Sequence, residues 1–166
     1  MKKTKIGSIM ESIVTKGGFF IAKHPILFYV LNFTWGLPLT LLGLLLTVVL
    51  LPWKLEFHKY NYIYAVQLVL FSKKHYWGFE MGTCFFTSLG GWSFDTIKDH
   101  EFGHTCQNAL LGPFQIILIW LPSILRFWYR ELMEKHNKPL ETKYDDIWFE
   151  SSASKIGTKY RLYKNP

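Results

Sequence analysis

The sequence predicts an α+β chain held at a membrane by an N-terminal helix, and three observations carry that expectation. Residues 25–53 contain no formal charge and are almost all apolar, a stretch longer than the ~20 residues a helix needs to cross a bilayer. Residues 54–71 and 76–87 are dense in aromatic and branched side chains, the composition of strands. Residues 95–111 and 142–157 carry helical start signals and spacing. The expected organisation is a basic segment at 1–24, a transmembrane or re-entrant helix at 25–53, and a folded domain at 54–166.

With 166 residues and a formal charge of +7, the chain has room for one domain plus an anchor. Hydrophobic residues at 49% and aromatics at 18% exclude a disordered or low-complexity protein. Cys84 and Cys106 are too few for a disulfide scaffold or a cysteine-based zinc ribbon.

The basic segment holds Lys2, Lys3, Lys5, Lys16 and Lys23 against Glu11. By the positive-inside rule the N-terminus is cytoplasmic and the protein resides in a membrane, the plasma membrane first. The apolar run exceeds the roughly 7 to 15 residues of a signal-peptide core and no small-residue cleavage site follows, so the segment is expected to be retained. Gly36-Leu37-Pro38 interrupts it. A single kinked span is the reading taken, with a re-entrant hairpin as the alternative. The remaining positive charge is spread thinly over the rest of the chain, so the expected partner is the lipid bilayer and not nucleic acid.

Next, residues 54–71 and 76–87 are expected to pair as a β-hairpin around a turn at 72–75. Gly78 and Gly82 would weaken the second strand unless they mark a bulge or a close backbone approach, by the protein's own packing or by a bound peptide. Gly90-Gly91 ends the strand, and Ser93 or Asp95 is expected to cap the following helix.

That helix contains His100, Glu101 and His104 in the pattern H-E-x-x-H. Positions four apart lie about 6 Å along a helix and about 40° around it, so both imidazoles reach one metal ion. Glu101 projects beside them, placed for general-base work on water without being a ligand. Gly103 lets another backbone come close. The competing reading is a pair of core or solvated histidines on an amphipathic helix.

The run HEFGH, His100 to His104, resembles the zinc-binding helix of the zincin metallopeptidases. The layout, a β-hairpin before the motif helix and another helix after it, resembles the zincin core, in which an edge strand lines the substrate cleft. The chain also resembles small membrane-associated proteins that carry H-E-x-G-H-x-x-Q, here His100 to Gln107. The resemblance implies one Zn2+ ion, a peptide or protein substrate, and hydrolysis by metal-activated water with Glu101 as catalytic base.

A catalytic zinc needs a third protein ligand and an open position. The metzincin continuation is absent, since it requires Gly at Gln107 and His at Leu110. A gluzincin-like carboxylate remains, and Glu150 is the first choice, in a helix expected to open with a Thr142/Asp145 capping box and to end at Gly157. The metal ligands expected are therefore His100, His104 and Glu150. His136 is the other conceivable third ligand, but its polar surroundings point it to water. The acid that many gluzincins carry four positions after the glutamate is Ser154 here, so support is sought elsewhere: Asp99 or Asp146 could orient an imidazole, or equally be an exposed helix charge. Tyr144 and Tyr160 are the candidates for an oxyanion donor.

A second uncharged run, residues 105–125, directly follows the motif. Were it to cross a bilayer, His104 and Glu150 would be parted by about 30 Å of hydrocarbon, so crossing and coordination exclude each other. Gly112-Pro113 and Pro122 break the run, and a buried or membrane-dipping segment is expected. An amphipathic helix with Trp128 and Tyr129 at the lipid boundary should follow. Two rival readings stand beside the peptidase: a non-catalytic membrane structural or interaction protein, and a zinc hydrolase of a non-peptide substrate.

Overall fold

The computed structural model describes residues 4–53, 55–68, 78–88, 91–138, 140 and 142–165. Six helices surround a small mixed sheet, so the α+β expectation holds. The order is α1 (Lys5–Ala22), α2 (Pro25–Phe33), α3 (Leu37–Leu50), β1 (Leu55–Tyr60), β2 (Ile63–Leu68), β3 (Gly78–Met81), β4 (Cys84–Ser88), α4 (Gly91–Leu111), α5 (Leu121–Lys135) and α6 (Trp148–Lys164). A π-helical turn, Ile116–Trp120, leads into α5, and a 3-10 turn, Tyr144–Asp146, precedes α6.

The basic N-terminal segment is structured. Thr4 caps α1 by accepting from the Gly7 amide at 3.1 Å, which satisfies one of the orphan donors of the first turn. The helix then packs along α6 and α4. Glu11 is buried against α6, where it accepts from the Ser151 hydroxyl at 2.9 Å and pairs with Lys155.

The expected apolar segment is broken into two helices that are long and apolar enough for a span only as a pair. Among the described residues no one helix is long and apolar enough to cross a membrane; residues 25–50 instead make two helices bent by 83°. At 1.5 Å per residue α2 is about 13 Å long and α3 about 21 Å, both short of a hydrocarbon core of about 30 Å. Polar contacts fix the bend. Asn108 of α4 donates to Asn32 Oδ1 at 2.8 Å and to the Gly36 carbonyl at 3.1 Å. Asn32 donates to the Phe28 carbonyl at 3.0 Å, and all three side chains that meet here, Asn32, Thr40 and Asn108, are fully buried. These bonds satisfy groups that would otherwise be stranded in an apolar interior.

The hairpin expectation is corrected in detail. Each aromatic segment yields its own hairpin, not one strand: β1 pairs antiparallel with β2, and β3 with β4, while β2 and β4 join in parallel to give the order β1-β2-β4-β3. The reason is local. Asn61 adopts φ 53° and Gly82 φ 64°, the left-handed conformations that tight hairpin turns need and that Asn and Gly tolerate best. The turn expected at 72–75 lies outside the described residues. Gly82 also sits where a Cβ would lie 2.3 Å from the Thr40 Cα, and Gly78 where one would lie 2.2 Å from Ile97. The close approach anticipated at these glycines is thus made by α3 and α4.

Both sheet faces are covered. Ile63, Ala65 and Phe85 join Phe28, Phe102, Ile156 and Tyr160 in the main core, while Val66, Met81, Cys84 and Phe86 pack with Leu39 of α3. α4 runs through the centre, buried on all sides from Glu101 to Ala109. It begins at Gly91, so Ser93 and Asp95 lie within the helix and not at its cap. It ends at Gly112, φ 59°, followed by Pro113, the expected break. The 142–157 helix is likewise shifted: α6 begins at Trp148 and continues through Gly157 to Lys164, and the turn before it is closed by Asp146 accepting from the Lys143 amide at 2.9 Å, not by a Thr142/Asp145 box.

Candidate metal centre

His100 and His104 stand one turn apart on α4, with ring centroids 4.6 Å apart and planes at 88°. Glu150 enters from the first turn of α6 and is fully buried. The expected ligand triad therefore comes together, one ligand atom of each within 4.8 Å of the others. His100 Nε2 and His104 Nε2 lie 3.1 Å apart, and Glu150 Oε2 lies 3.1 Å from the first and 3.2 Å from the second. A tetrahedral site with bonds of about 2.0 to 2.1 Å has ligand-to-ligand edges of about 3.3 to 3.4 Å. The donor set, two imidazoles and a carboxylate, suits a divalent zinc-like cation.

Two glycines make this convergence possible. A Cβ on Gly103 would lie 2.0 Å from the Ala153 carbonyl oxygen, and one on Gly157 would lie 1.9 Å from that of Asp99. Only bare backbone at both positions lets α4 and α6 approach closely enough for a short glutamate side chain to reach the two histidines.

The outer nitrogens fix the tautomers. Gln107 Nε2 donates to the Phe149 carbonyl and to Ser152 Oγ, both at 2.8 Å. Its Oε1 must then face His104 Nδ1, 2.7 Å away; an amide oxygen only accepts, so Nδ1 carries the proton. Ser154 spends its own proton on Asp145 Oδ2 at 3.0 Å and accepts from His100 Nδ1 at 2.9 Å. Both Nε2 lone pairs are left pointing at each other and at a carboxylate oxygen, an arrangement that one metal ion or one shared proton satisfies.

These supports differ from those expected. Asp99 accepts from the Tyr60 hydroxyl and pairs with Arg161 at 2.8 Å; it orients no imidazole, and neither does Asp146. The serine that stands where gluzincins carry an acid relays the carboxylate of Asp145 instead. Gln107, the last residue of the H-E-x-G-H-x-x-Q pattern, is the support of His104. Ser123 was not singled out: it donates to Glu150 Oε1 at 2.5 Å and lies 3.0 Å from the Tyr144 hydroxyl. His136 is exposed at the end of α5, away from the cluster. Tyr160 lies in the core with its hydroxyl 2.6 Å from that of Tyr62, whereas Tyr144 lines the cleft.

The cleft has a volume of about 410 Å3. Its walls include β3, the motif helix, Gln115, Trp120 and Ser123. Glu101 and a second carboxylate, Glu80 of β3, both face into this lining and are 5% and 4% exposed. Three buried polar atoms here, Glu101 Oε2, Gln115 Oε1 and Trp120 Nε1, have no partner among the described residues, which marks the place of a ligand or water.

Burial pushes the Glu101 carboxyl up, partly opposed by the charges of His100 and His104. Burial likewise lifts Glu80, to about 8. Burial also disfavours a charged His104, yet the charge and hydrogen bond of Glu150 outweigh it and raise His104 to about 9. For Glu150 burial acts upward, while His104 and His100 hold it well below the ordinary carboxylate range. The triad thus carries one negative charge matched to one cation, metal or proton. Comparison with protein-family models, curated proteins and solved structures finds no match.

Proposed function

We propose that this protein is a membrane-associated zinc-dependent hydrolase of the zincin type that cleaves peptide or related amide bonds. The observation that carries the reading is the inward convergence of His100 Nε2, His104 Nε2 and Glu150 Oε2, each held from behind by a separate hydrogen-bonded support. These three residues would hold the ion. A bound Zn2+ would supply Lewis-acid polarisation of the scissile carbonyl and lower the pKa of water toward 7.

Glu101 serves as general base. Its free Oε2 lies in the cleft wall, and a carboxyl whose pKa burial has raised is the stronger acceptor. It takes a proton from water as the water oxygen bonds to the carbonyl carbon, then delivers that proton to the leaving nitrogen as the C–N bond breaks. Tyr144, kept protonated by burial, is the hydroxyl donor in the cleft assigned to the developing oxyanion.

The membrane reading rests on the bent pair α2–α3, which is long and apolar enough to span only when taken together. Ile26, Val30 and Phe33 of α2 and Leu41, Leu45, Val48 and Val49 of α3 are exposed, an apolar surface suited to lipid. Because α1 packs on α6, residues before and after this pair lie on one side of any bilayer, which favours a re-entrant insertion over a crossing. With the N-terminus cytoplasmic, the catalytic cleft is then cytoplasmic at the membrane surface.

Metal analysis of the purified protein beside a peptide-cleavage assay tests the reading. One zinc per chain is expected in wild type and in Glu101→Gln, with hydrolysis lost in the latter. His104→Ala and Glu150→Ala should lose zinc. Equal metal content in all four proteins, or none in wild type, would leave the rival reading of a non-catalytic membrane interaction protein.

A further inference from the structure

Behind the catalytic cleft a second cavity, about 500 Å3, opens between α3, β3 and α5. The two adjoin: Phe79, Trp120, Ser123, Ile124 and Phe127 line both. Its far walls are Leu46, Met81 and Trp128. Beyond Ser123 and Tyr144, at the end nearest Glu150, the hydrogen-bonding side-chain groups are the indole N–H donors of Trp120 and Trp128, and the remaining side chains are apolar. The walls at the far end belong to α3 and α5, whose neighbouring side chains Leu42, Leu45, Val49, Leu125 and Leu132 are exposed. Together the two cavities, cleft and groove, reach from the buried carboxylates to the exposed apolar side chains of α3 and α5.

The edge of β3 can pair an extended peptide that lies beside it, but peptide N–H and C=O groups set against the apolar side chains of α3 and α5 stay unpaired, each at about 1 to 3 kcal/mol. A hydrocarbon chain brings none. We propose that the groove takes the acyl chain of an N-acyl amide drawn from the bilayer, with the amide carbonyl at the His100–His104–Glu150 cluster. The assignment rests on the hydrolase reading and names its substrate class. In the reaction the water oxygen bonds to the acyl carbon, the C–N bond breaks, and one water proton ends on the released amine; the products are a fatty acid and an amine. No redox partner is needed. The volume accords with ligand pockets of about 300 to 1,000 Å3.

Two measurements on the full chain in nonionic detergent test the proposal. In the first, zinc-loaded wild type is given glycine amides N-acylated with chains from acetyl to palmitoyl, and an unacylated short peptide. Efficiency should climb with length by up to roughly fourfold per methylene until the groove is full. Leu46→Trp, which fills the groove at a wall it does not share with the cleft, should flatten that dependence and spare the acetyl compound. In the second, a palmitoyl glycine amide with a diazirine at the chain end is photolysed on Glu101→Gln, which cannot turn it over. Adducts are expected at Leu46, Met81, Ile124 and Trp128.

Equal turnover of acetyl, palmitoyl and peptide substrates would overturn the acyl assignment and leave the hydrolase standing. So would adducts confined to the outer faces of α2 and α3. Groove adducts with no turnover of any substrate would uphold the chain site and sink the hydrolase.

Discussion

Gly103 of the motif helix lies against Ala153 of α6 so closely that a Cβ would come within 2.0 Å of the Ala153 carbonyl oxygen. The contact has a mate one turn away, where Gly157 meets the Asp99 carbonyl. The pair sets the distance between two helices, and that distance sets the metal cluster. Glu150 reaches the imidazoles only because the helix axes are this near.

Gly103→Ala and Gly157→Ala should therefore destabilise the fold by roughly 1 to 3 kcal/mol through overpacking, against the gain that alanine ordinarily brings to a helix. Both should also weaken zinc binding, because the separated helices withdraw Glu150. Gly17→Ala is the contrast: its Cβ would meet only the Leu110 side-chain tip at 3.0 Å, which can move aside. Denaturant unfolding and zinc titration of the three variants check the ordering, and a Gly103→Ala protein as stable and as metal-avid as Gly17→Ala would contradict it.

The two imidazole supports predict a separate set of effects. Gln107→Leu removes the acceptor that fixes His104, and Ser154→Ala removes the relay from Asp145 to His100. Each should lower zinc affinity by about 10- to 100-fold, the usual effect of losing an outer partner. Asp99→Asn should leave affinity unchanged, because its partners are Tyr60 and Arg161. A competition titration against a chelator reads all three.

The difference between those supports shows how far the sequence could be read. H-E-x-x-H fixes its own geometry, since a helix makes residues four apart neighbours, and Glu150 was legible once a carboxylate ligand was sought. Ser154 and Gln107 were in view but silent, because what a side chain touches depends on the roll and spacing of α4 and α6. Glu80 carried a signal that was passed over: a lone acid in an otherwise apolar strand segment, which points either to an edge or to a site. The four-stranded sheet was misread for a different reason. Asn61-Tyr62 and Gly82-Thr83 are two-residue turns inside segments whose strand composition never lapses, so composition alone shows two strands where turn chemistry gives four. The bend at residues 34–36 was marked by Gly36 and Pro38, but its angle is set by Asn108 on another helix.

That bend carries its own prediction. Asn108→Leu would leave Asn32 Oδ1 buried without its donor and the Gly36 carbonyl with only the Thr40 amide, 3.2 Å away; the stranded Asn32 oxygen costs about 1 to 3 kcal/mol where no water replaces the donor. Asn32→Leu in the same background should recover part of the loss, because it removes one stranded acceptor. Unfolding free energies of the single and double variants form a cycle, and strict additivity would show that Asn108 does not hold the bend.

Glu80 links the cleft to pH. Burial raises its carboxyl from 4.5 to about 8; the Glu101 charge pushes the same way, and His104 and the Gly82 amide, 2.6 Å from Oε1, pull against them. In the folded protein Glu80 thus keeps a proton that the unfolded chain releases above pH 4.5. The folded state binds more protons across this window, so its stability is full below the unfolded value and is lost as the pH rises toward about 8. Glu80→Gln keeps the shape and removes the titration. Melting temperatures taken with chelator present, from about pH 5 to about pH 8.5, should show wild type falling progressively below the variant and the gap levelling off at the top of the range. A gap that stays constant over that interval would mean that Glu80 is charged throughout, and that the cleft holds two carboxylates in anionic form beside His104.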